Sequence, residues 1–297
     1  MKKFVYLYIL TLFSVTSTFG SSRIWGEMII PNILEYGKEG SHKFGVLFTT
    51  LQSEYFRDIF LGILIVIPLI FLLHYLIIGA KSFSHDGKKI YIFSLFKRVI
   101  HWLAAFALIL LVSTGLMVVF GGYLGGGELI EKARHLHGLA TIIFTVAVVP
   151  MFLFWVFDML PNLDDIKWIF IVGGYLSKKK KEIPAGKFNA GQKMWFWFAT
   201  LGGFIMIATG GAMYFQDFDF GIASFFHLSQ IDLLRVAAIV HNVFAFGILA
   251  LFFTHIYMSI FAIKGALKSM ISGYKKEDEI KYLHSSFYKK LKKEGKI

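Results

Sequence analysis

The stretch Leu234–Ile263 reads LRVAAIVHNVFAFGILALFFTHIYMSIFAI, a long apolar segment that carries two histidines. It is long enough to cross the hydrocarbon core of a bilayer, which is about 30 Å thick and needs about 20 residues of α-helix. His241 and His255 are 14 positions apart, so on a helix they lie about 21 Å apart and within about 40° of the same face. The helix therefore presents two imidazoles at two depths.

The composition is that of a polytopic membrane protein. The chain has 297 residues, of which 56% are hydrophobic and 18% aromatic, and its mean hydropathy is +0.64, which is too apolar for an ordinary soluble domain. It has no cysteines, which excludes disulfides, covalently attached c-type haem and iron–sulfur clusters held by its own thiolates. The formal net charge of +12 falls in blocks between apolar segments, so we interpret it as a signal of topology and not as a nucleic-acid site.

The pattern predicts an all-α integral membrane protein. A four-helix transmembrane bundle is expected over residues 95–265, preceded by an extra transmembrane helix over residues 58–80. Residues 1–22 combine two lysines, a short apolar run and a small-residue triplet, and are predicted to be a signal peptide, with an uncleaved anchor helix as the alternative. We expect residues 23–57 to be extracytoplasmic. Residues 266–297 are predicted to form a basic cytoplasmic tail that is solvated or lies on the lipid surface.

Within this plan the individual spans have approximate limits. They are Ile59–Ala80, Arg98–Phe120, a third that starts at His135 and ends near Asp158, Met194–Phe215, and Leu234–Ile263.

Lysine and arginine are concentrated in alternate loops. The loop from Lys81 to Arg98 carries five, the loop before Trp195 seven, and the tail from Lys264 onward ten. The loop from Gly121 to His135 carries two, and the loop from Gln216 to Leu234 none. The positive-inside rule places the first three segments in the cytoplasm. We therefore expect a multi-pass protein of the cytoplasmic (inner) membrane with a cytoplasmic C-terminus.

This topology assigns a depth to each histidine. His101 starts a helix on the inner side, and His255 lies near the inner end of its own helix, so the two share one level. His241 lies near the outer end of its helix, at the level where His137 or His135 starts another. Two pairs of imidazoles result, one above the other.

Only one of His135 and His137 can face a given site, because residues two apart on a helix point about 200° away from each other. We prefer His137, which lies one step deeper and is followed by Gly138, a residue that leaves room for a macrocycle. His135 is the alternative ligand; otherwise it would contact haem propionates or a partner protein together with Arg134.

Two further positions have weaker signals. Gly115 follows His101 by 14 positions, so it lies on the same face one level away, where the missing side chain would let a porphyrin approach. His74 in the extra span has no partner at a matching depth, and we interpret it as a structural histidine.

The paired histidines predict two b haems. Haem iron with two axial imidazoles has no open position, so it carries electrons and does not bind substrate. A zinc or copper site would need three or four ligands at one depth, whereas each level here offers two histidines and no cysteine. We expect His101 and His255 to bind the inner iron. His137 and His241 are expected to bind the outer iron, and accidental buried histidines are the alternative.

Four motifs resemble a known family. They are HWLAAF at His101–Phe106, R-x-L-H-G at Arg134–Gly138, KFNAGQKMWFW at Lys187–Trp197, and H-x-Y-M at His255–Met258. Together they resemble the membrane cytochrome b (gamma) subunit of respiratory formate dehydrogenase, over about residues 97–290. The chain departs from better-known members in its signal-like segment, its extra span and the histidine at position 135.

The resemblance implies a four-helix di-haem bundle that acts in a respiratory chain. It implies that formate oxidation takes place in an outward-facing molybdenum or tungsten catalytic subunit, that an iron–sulfur subunit passes electrons to the outer haem, and that the inner haem reduces a quinone, expected to be menaquinone. This chain would then be a quinone-reducing electron-transfer subunit.

The most specific motif has two interpretations. By resemblance, Asn189, Gly191 and Gln192 belong to the loop associated with the quinone site. From the residues alone, Asn189 is a good N-cap with Gln192 at the N3 position, close to a capping box for the following helix. Amide donors in this loop would also suit a quinone carbonyl that gains negative charge.

Two alternatives remain open on the sequence. The cytochrome b subunit of a membrane-bound nickel–iron hydrogenase has a similar architecture with hydrogen as donor. A haem-free membrane anchor or transporter belongs to another class and predicts no bound haem.

Overall fold

The computed structural model describes residues 44–83, 88–216 and 221–297. The predicted signal peptide lies outside the described residues. Five of the described helices are long and apolar enough to cross a membrane. They are α1 (Gly45–Ile77), α2 (Leu95–Val119), α3 (Gly127–Met159), α5 (Ala190–Tyr214) and α7 (Gln230–Ala262).

Shorter elements connect the long helices. They are β1 (Lys89–Tyr91), α4 (Leu163–Phe170), α6 (Ile222–Phe225), α8 (Lys268–Ser272), β2 (Tyr274–Lys276), α9 (Glu277–Leu283) and α10 (Ser285–Lys293). The two strands pair antiparallel, with Ile90 opposite Lys275. The long helices include π-helical segments at Leu51–Tyr55, Phe198–Gly202 and Tyr257–Ala262, and α3 closes with a 3₁₀ turn at Val156–Met159; a further 3₁₀ turn spans Val172–Gly174. The prediction of an extra helix and four further apolar helices is confirmed, and a small sheet is added to it.

Two helices begin well before the predicted spans. Helix α1 starts at Gly45 and α3 at Gly127, so part of segment 23–57 and the sequence just before His135 are helical. A helix of 33 residues is about 50 Å long, longer than the roughly 30 Å hydrocarbon core, so its polar first turns can project beyond it. In α3 the Glu128–Lys132 ion pair, at 2.7 Å, supports such an exposed turn. Hydropathy alone locates the apolar part and misses these polar turns.

Small residues let the helices of the bundle approach closely. The core between α2, α3 and α7 contains Ala104, Ala107, Ala147 and Val148, which are at most 5% exposed. Close backbone approach through small side chains is the usual basis of helix packing in membranes. Outside this core the long helices keep large apolar side chains exposed, as a lipid-facing surface requires.

Helix α1 packs against α7 by aromatic contacts at one end and a polar contact at the other. The rings of Phe56 and Phe60 lie 5.7 and 4.6 Å from that of Phe246. Near its other end, His74 Nδ1 lies 2.5 Å from Tyr257 Oη. The remaining faces carry exposed leucines and isoleucines such as Ile65, Leu69 and Leu76. The extra helix is therefore an outer member of the bundle.

The basic tail is folded back onto the bundle, which corrects the expectation of a solvated or lipid-surface segment. Strand β2 pairs with β1, and the side chains of Ile280, Leu283 and Leu291 are buried. The lysines of α10 occupy the opposite, exposed face of this amphipathic helix. The sequence suggested a charged surface because lysines outnumber the few apolar residues that anchor the tail.

Candidate functional site

The structure brings the four predicted histidines together in two pairs. His101 near the start of α2 faces His255 on α7, with their ring centroids 6.2 Å apart and their planes at 54°. His137 on α3 faces His241 on α7, with ring centroids 6.4 Å apart and planes at 56°. Because His241 and His255 are separated by 14 positions of one helix, the two pairs lie at two depths about 21 Å apart.

The separation within each pair matches a metal ion held between two imidazoles. A metal–nitrogen bond of about 2.0 Å on each side, added to about 1.1 Å from each nitrogen to its ring centre, gives roughly 6.2 Å between ring centres. The buried Nδ1 of His101 finds no hydrogen-bond partner among the described residues. No group of three or more metal-ligating His, Cys, Asp or Glu side chains converges in the described parts of the chain. The residues present therefore fit haem iron with two axial imidazoles.

Threonines contact the rings of His137 and His241, the pair predicted to be the outer one. Thr114 Oγ1 lies 2.9 Å from His137 Nδ1, and Thr209 Oγ1 lies 3.0 Å from His241 Nδ1. Each hydroxyl donates its own proton to a helix carbonyl, that of Leu110 or that of Ile205. The oxygen is then available to accept a hydrogen bond from the Nδ1–H, which leaves Nε2 without a proton and able to bind a metal.

A glycine follows each of these threonines. A Cβ added to Gly115 would lie 3.4 Å from His137 Cε1, and one added to Gly210 would lie 3.3 Å from His241 Cε1. The missing side chains leave space beside both imidazoles. Sequence reasoning identified Gly115 but missed Gly210 and the two threonines, although the Thr-Gly dipeptide repeats in two apolar helices and was a readable signal.

The His101–His255 pair, predicted to be the inner one, makes different contacts. The indole ring of Trp195 stacks on His255, with ring centroids 5.3 Å apart and planes at 20°. Trp195 belongs to the KFNAGQKMWFW motif, so this contact brings the start of α5 against the inner histidine pair. The indole of Trp102 packs edge-on against His101 at 5.4 Å.

His135 faces away from the pair. Its side chain is 66% exposed and lies 3.9 Å from Glu131, whereas His137 points to His241. The structure thus favours His137, and a Cβ on the neighbouring Gly138 would lie 3.4 Å from the ring of Tyr214. Gly138 therefore permits close packing against Tyr214.

His74 makes hydrogen bonds with both ring nitrogens. Its Nε2 lies 2.9 Å from the carbonyl oxygen of Tyr175, and its Nδ1 contacts the hydroxyl of Tyr257. A histidine with both nitrogens engaged in this way has a structural role, as expected from the sequence.

The NAGQ loop forms a capping box at the start of α5. Gln192 N donates to Asn189 Oδ1, and Asn189 N donates to Gln192 Oε1, both at 3.0 Å. A Cβ on Gly191 would lie 2.9 Å from the indole of Trp168, so this glycine is required for close packing. Each side-chain carbonyl accepts one of these bonds, and the amide NH₂ groups are donors that could contact a ligand.

A buried ion pair ties this loop to α4. Lys193 Nζ lies 2.8 Å from Asp165 Oδ2, with side chains 7% and 11% exposed. Asp165 is itself part of a capping box with Asn162 at the start of α4. The two helix starts are therefore held together at the end of the bundle that carries the inner pair.

Apolar helices that hold facing pairs of imidazoles fit a membrane-bound b-type cytochrome. The chain belongs to the family described as prokaryotic cytochrome b561, which matches residues 92–273. It is a multi-pass membrane cytochrome b with an electron-transfer role, and membership of the family implies haem b.

Several relatives are named as cytochrome b556 subunits of formate dehydrogenase. The chain is 27% identical to a formate dehydrogenase cytochrome b556 subunit of Haemophilus influenzae over 196 residues, 65% of this chain and 79% of the relative. It is 29% identical to the nitrate-inducible cytochrome b556(Fdn) subunit of Escherichia coli K12, over 55% of this chain and 72% of the relative. It is 24% identical to the cytochrome b556(fdo) subunit of that organism, over 66% and 90%. The resemblance inferred from the four motifs is confirmed.

Proposed function

We propose that this chain is the di-haem electron-transfer subunit of a formate dehydrogenase complex in the cytoplasmic membrane. It would pass electrons from an extracytoplasmic iron–sulfur subunit to menaquinone, and formate would be oxidised in a separate molybdenum or tungsten subunit. The relatives named as formate dehydrogenase subunits support the choice of complex. Its C-terminus would be cytoplasmic, by the distribution of lysine and arginine.

The observation that carries this proposal is the pairing of His101 with His255 and of His137 with His241, at 6.2 and 6.4 Å. We assign the first pair to the inner haem iron and the second to the outer. A b haem with two imidazole ligands supplies reversible one-electron transfer without binding substrate. Two such sites, about 21 Å apart along α7, would lie at two different depths in the membrane.

The chain's own residues orient the ligands and exclude water. Thr114 and Thr209 accept from the Nδ1–H groups of the outer pair, and Trp195 holds the plane of His255. Such contacts fix ring orientation and raise the basicity of a ligating imidazole. The surrounding apolar helices keep the local dielectric low, which favours transfer along the bundle over side reactions with water.

We place the quinone at the start of α5, where Trp195 connects the NAGQ loop to His255. The side-chain NH₂ groups of Asn189 and Gln192 would be the donors for a quinone carbonyl, since the amide oxygens can only accept and do so within the capping box. Gly191 contributes by close packing against Trp168.

The test is an optical spectrum of the mildly solubilised complex, oxidised and then reduced with formate, together with haem quantification per chain. We expect two b haems per chain, both reduced by formate and reoxidised by a menaquinone analogue. Reduction by hydrogen and not by formate would instead assign the chain to a nickel–iron hydrogenase. Absence of any b-type band would favour the haem-free anchor or transporter.

A further inference from the structure

A cavity of about 230 Å³ opens at one end of the bundle, outside both histidine pairs. Its charged lining residues are four lysines and one glutamate. The lysines are Lys81, Lys179, Lys180 and Lys181, and the glutamate is Glu182. The lining therefore carries a net charge of +3, and no ion pair among the described residues involves these lysines.

The floor of this lysine cavity is apolar. Phe83, Ile183 and Leu283 line it and are at most 5% exposed. Lys180 Nζ lies 5.5 Å from the centre of the Phe83 ring, so the charge and the apolar floor adjoin directly. Pockets for drug-sized ligands usually have volumes of about 300 to 1,000 Å³. The lysine cavity is smaller than this, so it suits a small lipid headgroup and the first part of an acyl chain.

The position of the cavity is that of the membrane interface. Lys81 follows the end of α1 and pairs with Ile263 at the end of α7 in an isolated bridge, with Lys81 N donating to Ala262 O at 2.8 Å. Two apolar helices thus end at this level, which is where lipid headgroups begin. The loop that carries Lys179–Lys181 lies at the same end, the one predicted to be cytoplasmic.

The lysines are close enough to repel one another. Lys81 Nζ donates to the carbonyl of Ser177 at 3.0 Å. Burial, and then the positive charge of Lys180, lower the pKa of Lys81. An anion placed between the two ammonium groups would relieve this repulsion, whereas an added cation there would increase it.

We propose that this cavity binds a phosphate-bearing anion, with the phosphate on Lys81, Lys180 and Lys181 and an apolar portion on Phe83 and Leu283. The apolar floor and the headgroup depth favour the phosphate of an anionic lipid, and basic cavities on the cytoplasmic side of membrane helices are suited to such headgroups. Inorganic phosphate offers the same charge without the apolar portion. The proposal does not depend on haem or on the donor complex.

The experiment measures spin-labelled phosphatidylglycerol bound to the full chain in detergent, with spin-labelled phosphatidylcholine as the neutral reference. We expect one immobilised phosphatidylglycerol per chain and weaker binding of phosphatidylcholine. Since each lysine near an anionic headgroup contributes a factor of about five, Lys180→Gln/Lys181→Gln should weaken this binding about 25-fold. The matched control, Lys289→Gln/Lys293→Gln on the exposed face of α10, removes the same charge and should leave the tight site unchanged.

Competition with inorganic phosphate separates the two ligand sources. Retention of the lipid at millimolar phosphate would identify a lipid headgroup site, and displacement would show that free phosphate also enters it. Equal affinity for both lipids in the unmodified chain, or equal losses in the cavity variant and the α10 control, would overturn the proposal. Both variants alter exposed lysines, and unchanged helical circular dichroism verifies that each one folds.

Discussion

At the level of single residues, the outer histidine pair depends on which face of α3 carries each imidazole. His137 and His135 differ by two positions, yet one faces His241 and the other is 66% exposed beside Glu131. We expect His137→Ala to lose one of two b haems per chain and His135→Ala to retain both. Haem quantification of purified protein checks this, and loss of haem in the His135 variant alone would reverse the assignment.

Thr114 and Thr209 act through the histidines that they contact. Replacing Thr114 by valine removes the acceptor for His137 Nδ1–H at nearly constant volume, which lowers the basicity of the imidazole. A neutral hydrogen bond is worth about 0.5 to 1.5 kcal/mol, so the haem midpoint potential should rise by about 20 to 60 mV.

Redox titration of the b bands measures this shift. Thr145→Val is the matched control, because Thr145 Oγ1 donates only to the carbonyl of Thr141 within its own helix. If both variants have the same potentials as the unmodified protein, the threonine does not tune the ligand.

At the level of elements, the starts of α4 and α5 are joined by the buried pair Asp165 and Lys193, 2.8 Å apart. Asp165→Asn leaves the lysine buried without its counter-charge, a change that typically costs about 3 to 5 kcal/mol. We expect a clearly lower thermal unfolding midpoint in detergent. The control Asp164→Asn removes the same charge at a neighbouring, half-buried position and should have little effect.

A double variant makes this test sharper. Asp165→Asn/Lys193→Gln removes both charges, so it should recover part of the stability lost in the single variant. Additive losses in the double variant would mean that the two side chains are not coupled.

At the level of the whole molecule, the folded tail contains a buried histidine. His284 is 2% exposed, and its Nδ1 lies 2.8 Å from the carbonyl of Gly186. Burial, and then the charge of Lys275, lower the pKa of His284 to about 3, from an unfolded value of about 6.5. Between these values the unfolded tail binds more protons than the folded one, so the tail loses stability as the pH falls below about 6.5, by up to about 1.4 kcal/mol per pH unit.

Hydrogen exchange over residues 274–291, corrected for the intrinsic pH dependence of exchange, measures this loss. We expect protection of the tail to decrease between pH 7 and pH 5, and His284→Gln to remove most of the pH dependence. Protection that stays constant over this range in the unmodified chain would contradict a role for His284.

Much of the fold and of the site was predictable because the signals are local in sequence. Apolar runs locate the five helices, and the spacing of 14 between His241 and His255 places two imidazoles on one face. Alternation of basic loops then assigns His101 to the depth of His255 and the 135–137 region to the depth of His241. Each of these inferences needs only helix geometry and the cost of placing charge in lipid.

The tertiary structure alone decided the remaining features. The exposure of His135 and the contacts of Thr114 and Thr209 depend on how helices rotate against one another. The pairing of β1 with β2 depends on two segments that are distant in sequence. The tail folds back because a few apolar residues, among them Ile280 and Leu291, find partners that lie far away in sequence. Hydropathy averages over neighbours along the chain, whereas burial is set by neighbours in space, which is why composition predicted the spans but not the folded tail.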